Sequence, residues 1–239
     1  KKLLFIINPK AGLKKNKSYI DDAVNVFEGA GYKVGIKYTK KRLDGTYIAK
    51  EYSCKVDMVV CMGGDGTLNE VIAGMMEAQS KTPLGYIPAG STNDFATSLG
   101  LKSDPKQAAT FIMSNKSRPL DMGSFNGRQF VYTASAGIFT KTSYSTPQEL
   151  KNRLGHFAYI LHGVRELFHI RRLKLKIEFC KLVWQVLNQK FTGKITLEQI
   201  QSARITDCTD IDWSLDGEKE KGRAIVDFKV VHDAVNFIY

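Results

Sequence analysis

The fold is decided by the stretch Val56-Asp57-Met58-Val59-Val60-Cys61-Met62-Gly63-Gly64-Asp65-Gly66-Thr67-Leu68-Asn69-Glu70-Val71. The apolar run in its first half is typical of a strand buried on both faces, and the glycines that follow end that strand abruptly. A helix is expected to begin at Thr67, because Thr67 and Glu70 have the T-x-x-E spacing of a capping box. The stretch therefore predicts a buried strand, a glycine-rich turn and a helix.

The glycine-rich turn has the features of a phosphate site. Glycine has no Cβ, so the backbone at Gly63, Gly64 and Gly66 can come close to a bulky anion, and the first amides of the helix point into the turn. The turn matches neither the P-loop nor the G-x-G-x-x-G dinucleotide motif, because no Lys follows it and Asn69 stands where the last glycine would be. The residues alone therefore predict phosphate binding without fixing the ligand.

Asp65 is the unusual residue of this turn. Its negative charge would repel a phosphate, so a carboxylate at this position makes sense if it meets Mg²⁺ or accepts a proton. The plainer alternative is a glycine turn with an acidic helix cap.

Composition favours a globular protein with an anionic partner. The chain has 239 residues, 43% of them hydrophobic, and a net charge of +11, which suits a nucleotide, a nucleic acid or an anionic lipid. Its four cysteines have no C-x-x-C spacing and are expected to be reduced thiols in the cytoplasm. No apolar run approaches the roughly 20 residues that span a bilayer, so any membrane contact is expected to be peripheral. A chain that starts without Met, directly on a strand, suggests that terminal residues are missing.

The first half of the chain alternates strands and helices. Each strand is followed by a polar turn, and this order predicts a parallel sheet covered by helices, with the turns gathered at one edge of the sheet. The expected strands are 3–7, 33–38, 56–62 and 83–87, and the expected helices lie near 18–28, 46–52 and 68–77, with one more after the turn that ends at Phe95 and another that starts at Asp104-Pro105.

The second half is expected to be mostly antiparallel β-structure. Asn126-Gly127 predicts a type I′ hairpin turn, and apolar and charged residues alternate from Leu173 to Phe179. A basic amphipathic helix is expected from Leu154 to Phe168; its apolar face either packs on its own domain or lies on a membrane. The histidines on or near it are expected to be solvated and not to bind a metal.

Four motifs, in order, resemble those of the diacylglycerol kinase catalytic domain family: Asn8–Gly12, Gly63–Val71, Pro88–Phe95 and Asp216-Gly217-Glu218. That family includes bacterial lipid kinases, sphingosine kinases and ceramide kinases. The resemblance implies an α/β plus all-β fold. A parallel α/β nucleotide-binding domain like that of NAD kinase and phosphofructokinase would occupy residues 1–119, and an antiparallel β-sandwich would occupy 120–230. Residues 231–239 would return to the first domain.

The resemblance also implies the site. Asp216 and Glu218 would be the general base and its support, with Asp65 as a Mg²⁺-side or proton-relay carboxylate. Without the resemblance, Asp216 to Glu218 is simply a turn between strands. The residues implied at the nucleotide and its phosphates are Asn8, Pro9, Lys10, Ala11, Gly12, Thr39, Gly63, Gly64, Asp65, Gly66, Thr67, Leu68, Asn69, Glu70 and Ser91.

The implied reaction is transfer of the γ-phosphate of ATP to a lipid hydroxyl, with diacylglycerol giving phosphatidic acid. ATP and Mg²⁺ are the expected cofactors; Asp65, acting through a water, is the candidate metal ligand. The alternatives are an NAD kinase-like enzyme, which shares the Gly-Gly-Asp-Gly turn, and a non-catalytic lipid-binding protein with the same fold. The expected partner is lipid at the anionic inner face of the membrane, with a homodimer as an option. Nucleic acid is not expected, since the basic residues are dispersed.

One segment departs from the family pattern. Between about Cys180 and Ile195 the resemblance implies glycine-containing hairpins and an acidic segment that holds a structural Mg²⁺, and the sequence has neither. The hypothesis is that a piece of the chain is missing here, with a break near 180 or 190. The ligands of that metal therefore have no assignment.

Overall fold

The structure is a computed structural model that describes residues 1–11, 17–136, 199–209 and 211–239. Several predictions lie outside these residues: the site residue Gly12, the helix from Leu154 to Phe168, the strand from Leu173 to Phe179, and the chain break near 180–195.

Helices and strands alternate in the first half, and strands dominate the described part of the second half. The helices are α1 (Lys17–Gly29), α2 (Asp44–Tyr52), α3 (Asp65–Glu77), α4 (Asp94–Ser98) and α5 (Pro105–Ser114), with one 3₁₀ turn at Ser53–Lys55. The strands are β1 (Lys2–Ile7), β2 (Lys33–Tyr38), β3 (Met58–Gly63), β4 (Leu84–Pro88), β5 (Ser117–Phe125), β6 (Arg128–Phe130), β7 (Ala134–Ala136), β8 (Ser202–Thr206), β9 (Trp213–Leu215), β10 (Glu218–Glu220) and β11 (Ile225–Ile238).

The larger sheet has the order β2-β1-β3-β4-β11-β5-β6, and β8 pairs with β11 as well. Strands β1 to β4 are parallel, whereas β11 is antiparallel to β5. A separate three-stranded antiparallel sheet has the order β10-β9-β7. The predicted fold class, a parallel α/β part followed by antiparallel β-structure, is confirmed.

Three of the parallel strands, β1, β3 and β4, are buried on both faces, as the apolar run predicted for β3, whereas the edge strand β2 is largely exposed. Every residue of β3 is buried. In β1, Leu4 and Ile6 join a core cluster with α2 and α3, while Leu3, Phe5 and Ile7 join a second cluster with α1 and α5. The helices therefore lie in two layers, α2 and α3 on one side of the sheet and α1 and α5 on the other.

Strand β11 connects the two kinds of sheet. Its first part pairs with β8 and β5, its register shifts between Val231 and Val235, and Phe237 then lies opposite Leu84 of β4. Phe237 is fully buried and makes an edge-to-face contact with Phe95, with 5.4 Å between ring centroids. One continuous sheet therefore runs from β2 to β6. The division into residues 1–119 and 120–230 stays a prediction.

The Asn126-Gly127 hairpin is confirmed. Both residues have positive φ, 48° and 87°, and Phe125 pairs with Arg128 across the turn. These are the features of a two-residue type I′ turn. Beside it, Phe125, Trp213 and Phe228 form an aromatic cluster that joins the two sheets.

Within the described residues, none of the helices is both long and apolar enough to cross a membrane.

Candidate active site

The glycine-rich turn is shaped by close contacts that exclude side chains. Helix α3 begins at Asp65, with Gly64 at its N-cap in an extended conformation. A Cβ on Gly63 would lie 2.6 Å from the Cβ of Thr67. A Cβ on Gly90 would lie 2.7 Å from the Cα of Gly64, so the turns after β3 and β4 touch backbone to backbone.

The predicted capping box is wrong. Because α3 begins two residues before Thr67, the N-cap position falls on Gly64, which has no side chain to donate or accept. The Thr67 hydroxyl accepts instead from the Asn8 side-chain amide at 2.9 Å. The Glu70 carboxylate accepts from the backbone amides of Leu43 at 2.9 Å and Gly45 at 3.1 Å. Both residues therefore tie α3 to neighbouring loops.

The turn after β1 is held against α3. The backbone amide of Asn8 donates to the Met62 carbonyl at 2.9 Å, and its side-chain oxygen accepts from the Lys10 amide at 3.0 Å. Pro9 and Lys10 are exposed, while Ala11 is half-buried. The described part of this predicted nucleotide turn therefore stands beside the glycine-rich turn.

The turn after β4 is closed by its own side chains. The Asn93 side chain accepts from the Gly90 amide at 2.8 Å and donates to the Gly90 carbonyl at 2.9 Å, with Asn93 itself at φ 53°. The buried Tyr86 hydroxyl donates to the Gly63 carbonyl at 3.1 Å. Ser91 is half-buried on this turn, and Thr39 is buried at the end of β2, where its amide donates to the Ile7 carbonyl.

Asp65 links the glycine-rich turn to α4. Its two oxygens accept from the backbone amides of Asp94 at 3.1 Å and Phe95 at 3.4 Å. Burial raises the pKa of the Asp65 carboxyl, and the negative charges of Asp94 and Asp216 add to this, while the two amide bonds oppose it. Burial also raises the pKa of the neighbouring Tyr86, with a further contribution from Asp65.

The carboxylate of Asp216 accepts from four donors. Asp216 and Gly217, at φ 49° and 84°, form the turn between β9 and β10. One oxygen accepts from the Asn69 side-chain amide at 2.8 Å and the Val131 amide at 2.7 Å. The other accepts from the amides of Tyr132 and Thr133 at 2.8 and 2.9 Å. Asp216 therefore joins α3 to the segment between β6 and β7.

Glu218 lies between two arginines. One of its carboxylate oxygens is 2.9 Å from Arg42 and 2.7 Å from Arg128, and Arg128 also pairs with Glu220. Sequence reasoning missed both arginines. Arg128 follows the Asn-Gly turn and could have been noted there, whereas Arg42 is one of three consecutive basic residues and carries no signal that singles it out.

A cavity of about 540 Å³ connects these parts. One wall is formed by α2, α3 and the loop before α2, and the other by the β5–β6 hairpin and Glu218. Residues from both walls include Arg42, Leu43, Gly66, Asn69, Arg128 and Glu218. The cavity therefore reaches from the first turn of α3 to Glu218, the first residue of β10.

Within the described ranges, no three His, Cys, Asp or Glu side chains are grouped to enclose a metal ion. A Mg²⁺ held jointly with nucleotide phosphates needs only one or two carboxylates. Asp65 suits that kind of site, because a carboxylate has about four acceptor positions and Asp65 uses two of them.

Comparison with known proteins gives the family. The family described as "Diacylglycerol kinase catalytic domain" matches residues 2–125, slightly more than half of the chain. The chain belongs to this family. A diacylglycerol kinase of Bacillus subtilis strain 168 is 36% identical over 181 residues, which cover 75% of this chain and 60% of that relative. A diacylglycerol kinase of Staphylococcus epidermidis is 36% identical over 186 residues, which cover 77% of this chain and 59% of that relative. This chain thus spans about three fifths of the length of these relatives.

The fold also matches solved structures. A crystal structure of a diacylglycerol kinase from Bacillus anthracis superimposes with a TM-score of 0.72 over 100% of this chain and 96% of that chain, at 19% sequence identity. At that identity the likeness shows the shared fold.

Proposed function

We propose that this chain transfers the γ-phosphate of ATP to the free hydroxyl of diacylglycerol, giving phosphatidic acid and ADP. The observation that carries the proposal is the cavity that joins the glycine-rich turn to Glu218. Phosphoryl transfer needs an attacking and a leaving oxygen in line, and a cavity with a phosphate turn at one end and a carboxylate at the other provides for both. The names of the relatives support diacylglycerol as the acceptor.

The glycine-rich turn would hold the phosphates. Gly64 and Gly66 present backbone amides at the start of α3, a helix of 13 residues whose N-terminal end favours negative charge. Gly66 is exposed, and a Cβ added to it would meet nothing within 4 Å, so the space in front of it is open to a ligand. Asn8, Lys10, Thr39 and Ser91 are proposed to border the rest of the nucleotide.

Glu218 is the residue we assign as proton acceptor. It lines the cavity and its side chain is 44% exposed, whereas both oxygens of Asp216 accept from amide donors. As the lipid oxygen bonds to the γ-phosphorus and the bond to the β-γ bridging oxygen breaks, the hydroxyl proton passes to Glu218. Asp216 fixes the turn, and Arg42 and Arg128 hold the carboxylate in place.

Asp65 would hold Mg²⁺, through a water, beside the phosphates. When bound, the ion would neutralise charge on the phosphate oxygens. The chain's own contribution is the position of Asp65, fixed by the amides of α4.

We also propose that the chain works as a peripheral protein at the inner, cytoplasmic face of an anionic membrane, which suits its net charge of +11. We propose that residues 1–119, together with 231–239, form a domain that binds the nucleotide, and that residues 120–230 form a domain that binds the lipid.

A label-transfer assay tests the reaction. Radiolabelled ATP is offered with diacylglycerol, a sphingoid base or NAD, and we expect label in the lipid product of diacylglycerol. Glu218→Gln is expected to lose roughly 10²- to 10⁴-fold in turnover, the usual contribution of a general base. The matched control, Glu28→Gln on the exposed face of α1, is expected to keep wild-type turnover. Label in the NAD product alone would refute lipid phosphorylation, and full activity of the Glu218 variant would refute the assignment of the base.

A further inference from the structure

Exposed apolar side chains are concentrated in one short segment. Of the nine large hydrophobic residues exposed in the described part of the chain, four lie between Ile36 and Tyr47. The same segment contains the consecutive cations Lys40, Lys41 and Arg42. We call residues Lys40–Tyr47, which join β2 to the first turn of α2, the basic loop.

The backbone of the basic loop is held in an unusual conformation. Leu43 has φ 70°, a left-handed conformation that is a genuine outlier for a bulky residue. Glu70 holds it there by accepting from the Leu43 and Gly45 amides, and Asp44 accepts from the Lys40 and Lys41 amides at 2.8 and 3.0 Å. The protein thus uses a carboxylate of α3 to keep Leu43 half in solvent, at 48% exposure. Such an outlier points to a functional role.

The side chains of the basic loop suit a membrane surface. Tyr47 is 63% exposed and lies one helical turn from Leu43, whose carbonyl accepts from the Tyr47 amide at 3.1 Å. Lys40 and Lys41 are exposed beside them, and Lys10 joins the same cluster because its ammonium group lies 3.4 Å from the Lys40 carbonyl. Tyrosine and leucine side chains enter the headgroup region while lysine and arginine meet anionic lipid.

The basic loop is continuous with the cavity. Arg42 and Leu43 belong to both, and Glu218 lies opposite Arg42 at 2.9 Å. A bilayer resting on the basic loop therefore lies directly at the mouth of the cavity, so a lipid would have a short path to the proposed proton acceptor.

We propose that the basic loop is the surface by which this chain docks on an anionic lipid bilayer. The carboxylate of Asp44 is turned to the loop's own amides and Arg42 is paired with Glu218, which leaves Lys10, Lys40 and Lys41 to present positive charge. The inference rests on the proposed function for the lipid that enters the cavity, whereas docking itself requires no turnover.

Vesicle co-sedimentation tests the docking surface. The chain is mixed with vesicles of phosphatidylcholine alone or of an equimolar mixture with phosphatidylserine, and we expect binding to the mixed vesicles that weakens as salt is added. Lys40→Glu combined with Lys41→Glu is expected to reduce the partition coefficient at least about 25-fold, since each cation at such a surface contributes roughly fivefold. The double substitution leaves the backbone contacts of Asp44 in place. Tyr47→Ser is expected to weaken binding several-fold without changing the charge.

A matched control separates this surface from net charge. Lys102→Glu combined with Lys106→Glu changes the charge equally, but these exposed residues lie at α5, in the helix layer on the opposite side of the sheet. This control is expected to keep most of the binding. Equal losses in the two double variants, or wild-type binding by Tyr47→Ser, would overturn the proposal. So would tight binding to a DNA duplex that displaces the vesicles.

The enzyme assay gives a second, independent readout. Lys40→Glu combined with Lys41→Glu is expected to keep turnover on diacylglycerol in neutral detergent micelles and to lose it on diacylglycerol in the mixed vesicles. Equal turnover in both would overturn docking through the basic loop. If the wild-type chain phosphorylates no lipid at all, the proposed function fails, and the vesicle-binding comparison still decides the docking surface.

Discussion

Replacing Asp216 with asparagine is expected to destabilise the protein by about 2–4 kcal/mol. The carboxylate accepts from the Asn69 side chain and from the amides of Val131, Tyr132 and Thr133. In either orientation of the introduced amide, its NH₂ group faces two of these four donors, so two hydrogen bonds are lost. Hydrogen bonds to a charged group are each worth about 1.5–3 kcal/mol, and we reduce the sum because the site is only half-buried.

Urea unfolding measures this effect. A protein with roughly 5–15 kcal/mol of stability would show a clear fall in the midpoint of unfolding. The control is Asp207→Asn, an exposed aspartate with φ 59° in the same part of the chain, which is expected to change stability by less than about 0.5 kcal/mol. An Asp216→Asn midpoint equal to that of this control would refute an anchoring role for Asp216.

A double-mutant cycle isolates the contact between α3 and the Asp216 turn. Asn69→Asp alone would set two carboxylates against each other at a distance where the wild type has a 2.8 Å hydrogen bond. Combined with Asp216→Asn, it restores a donor and an acceptor, so we expect the double variant to be more stable than the sum of the single losses by about 1–2 kcal/mol. Simple additivity of the two changes would show that the residues do not interact.

Three further predictions concern the glycine-rich turn and its supports. Because burial raises the pKa of Asp65, the folded chain holds the carboxyl proton more tightly than the unfolded chain does. The protonated Asp65 therefore stabilises the fold fully below the unfolded pKa near 3.8, and this contribution is lost as the pH rises through the folded pKa. Asp65→Asn is therefore expected to flatten this part of the pH-stability curve while slowing phosphate transfer. Glu70→Ala is expected to cost about 1–3 kcal/mol, because it leaves the backbone amides of Leu43, just before α2, and Gly45, in its first turn, without their acceptor. Gly90→Ala is expected to weaken ATP binding, because its Cβ would lie 2.7 Å from the Cα of Gly64 and force the two turns apart.

Each of these has a decisive measurement. Urea midpoints across the acid range test Asp65→Asn, and an unchanged slope relative to wild type contradicts the raised pKa. Thermal and urea unfolding test Glu70→Ala, with Glu77→Ala, an exposed residue at the end of the same helix, as its control. Calorimetric titration with ATP tests Gly90→Ala, and wild-type affinity would show that the turns need not touch. Its control is Gly29→Ala, at an exposed position where the added Cβ meets nothing within 4 Å and φ is not positive.

The central strand, turn and helix could be predicted from the sequence because they are local. The seven residues from Val56 to Met62 are mostly apolar and are followed by glycines. A surface helix or a half-exposed strand would alternate apolar and polar residues, so this run indicates a buried strand. The Asn126-Gly127 hairpin could also be predicted from the sequence, since few residue pairs tolerate positive φ at both central positions of a two-residue turn.

The partners of the site residues could not be predicted, because each lies far away in the chain. The Thr67 and Glu70 spacing looks like a capping box, but the preferred contacts are with Asn8 and the loop before α2, which only the folded sheet brings near. Likewise, the hydrogen bond that Asn69 donates to Asp216, 147 residues away, forms only when the first and second halves of the chain pack together. Local pattern fixes where a charged side chain stands in an element and leaves open which tertiary contact it makes.

Strand β11 has a consequence for the order of folding. Until it is in place, the outer edge of β4 has no partner on that side and the ring of Phe95 lacks its contact with Phe237. The parallel part of the sheet, which is encoded early in the chain, therefore waits for a strand that leaves the ribosome much later. During synthesis this places an apolar sheet edge in solvent, where it is open to pairing with another nascent chain or to capture by a chaperone.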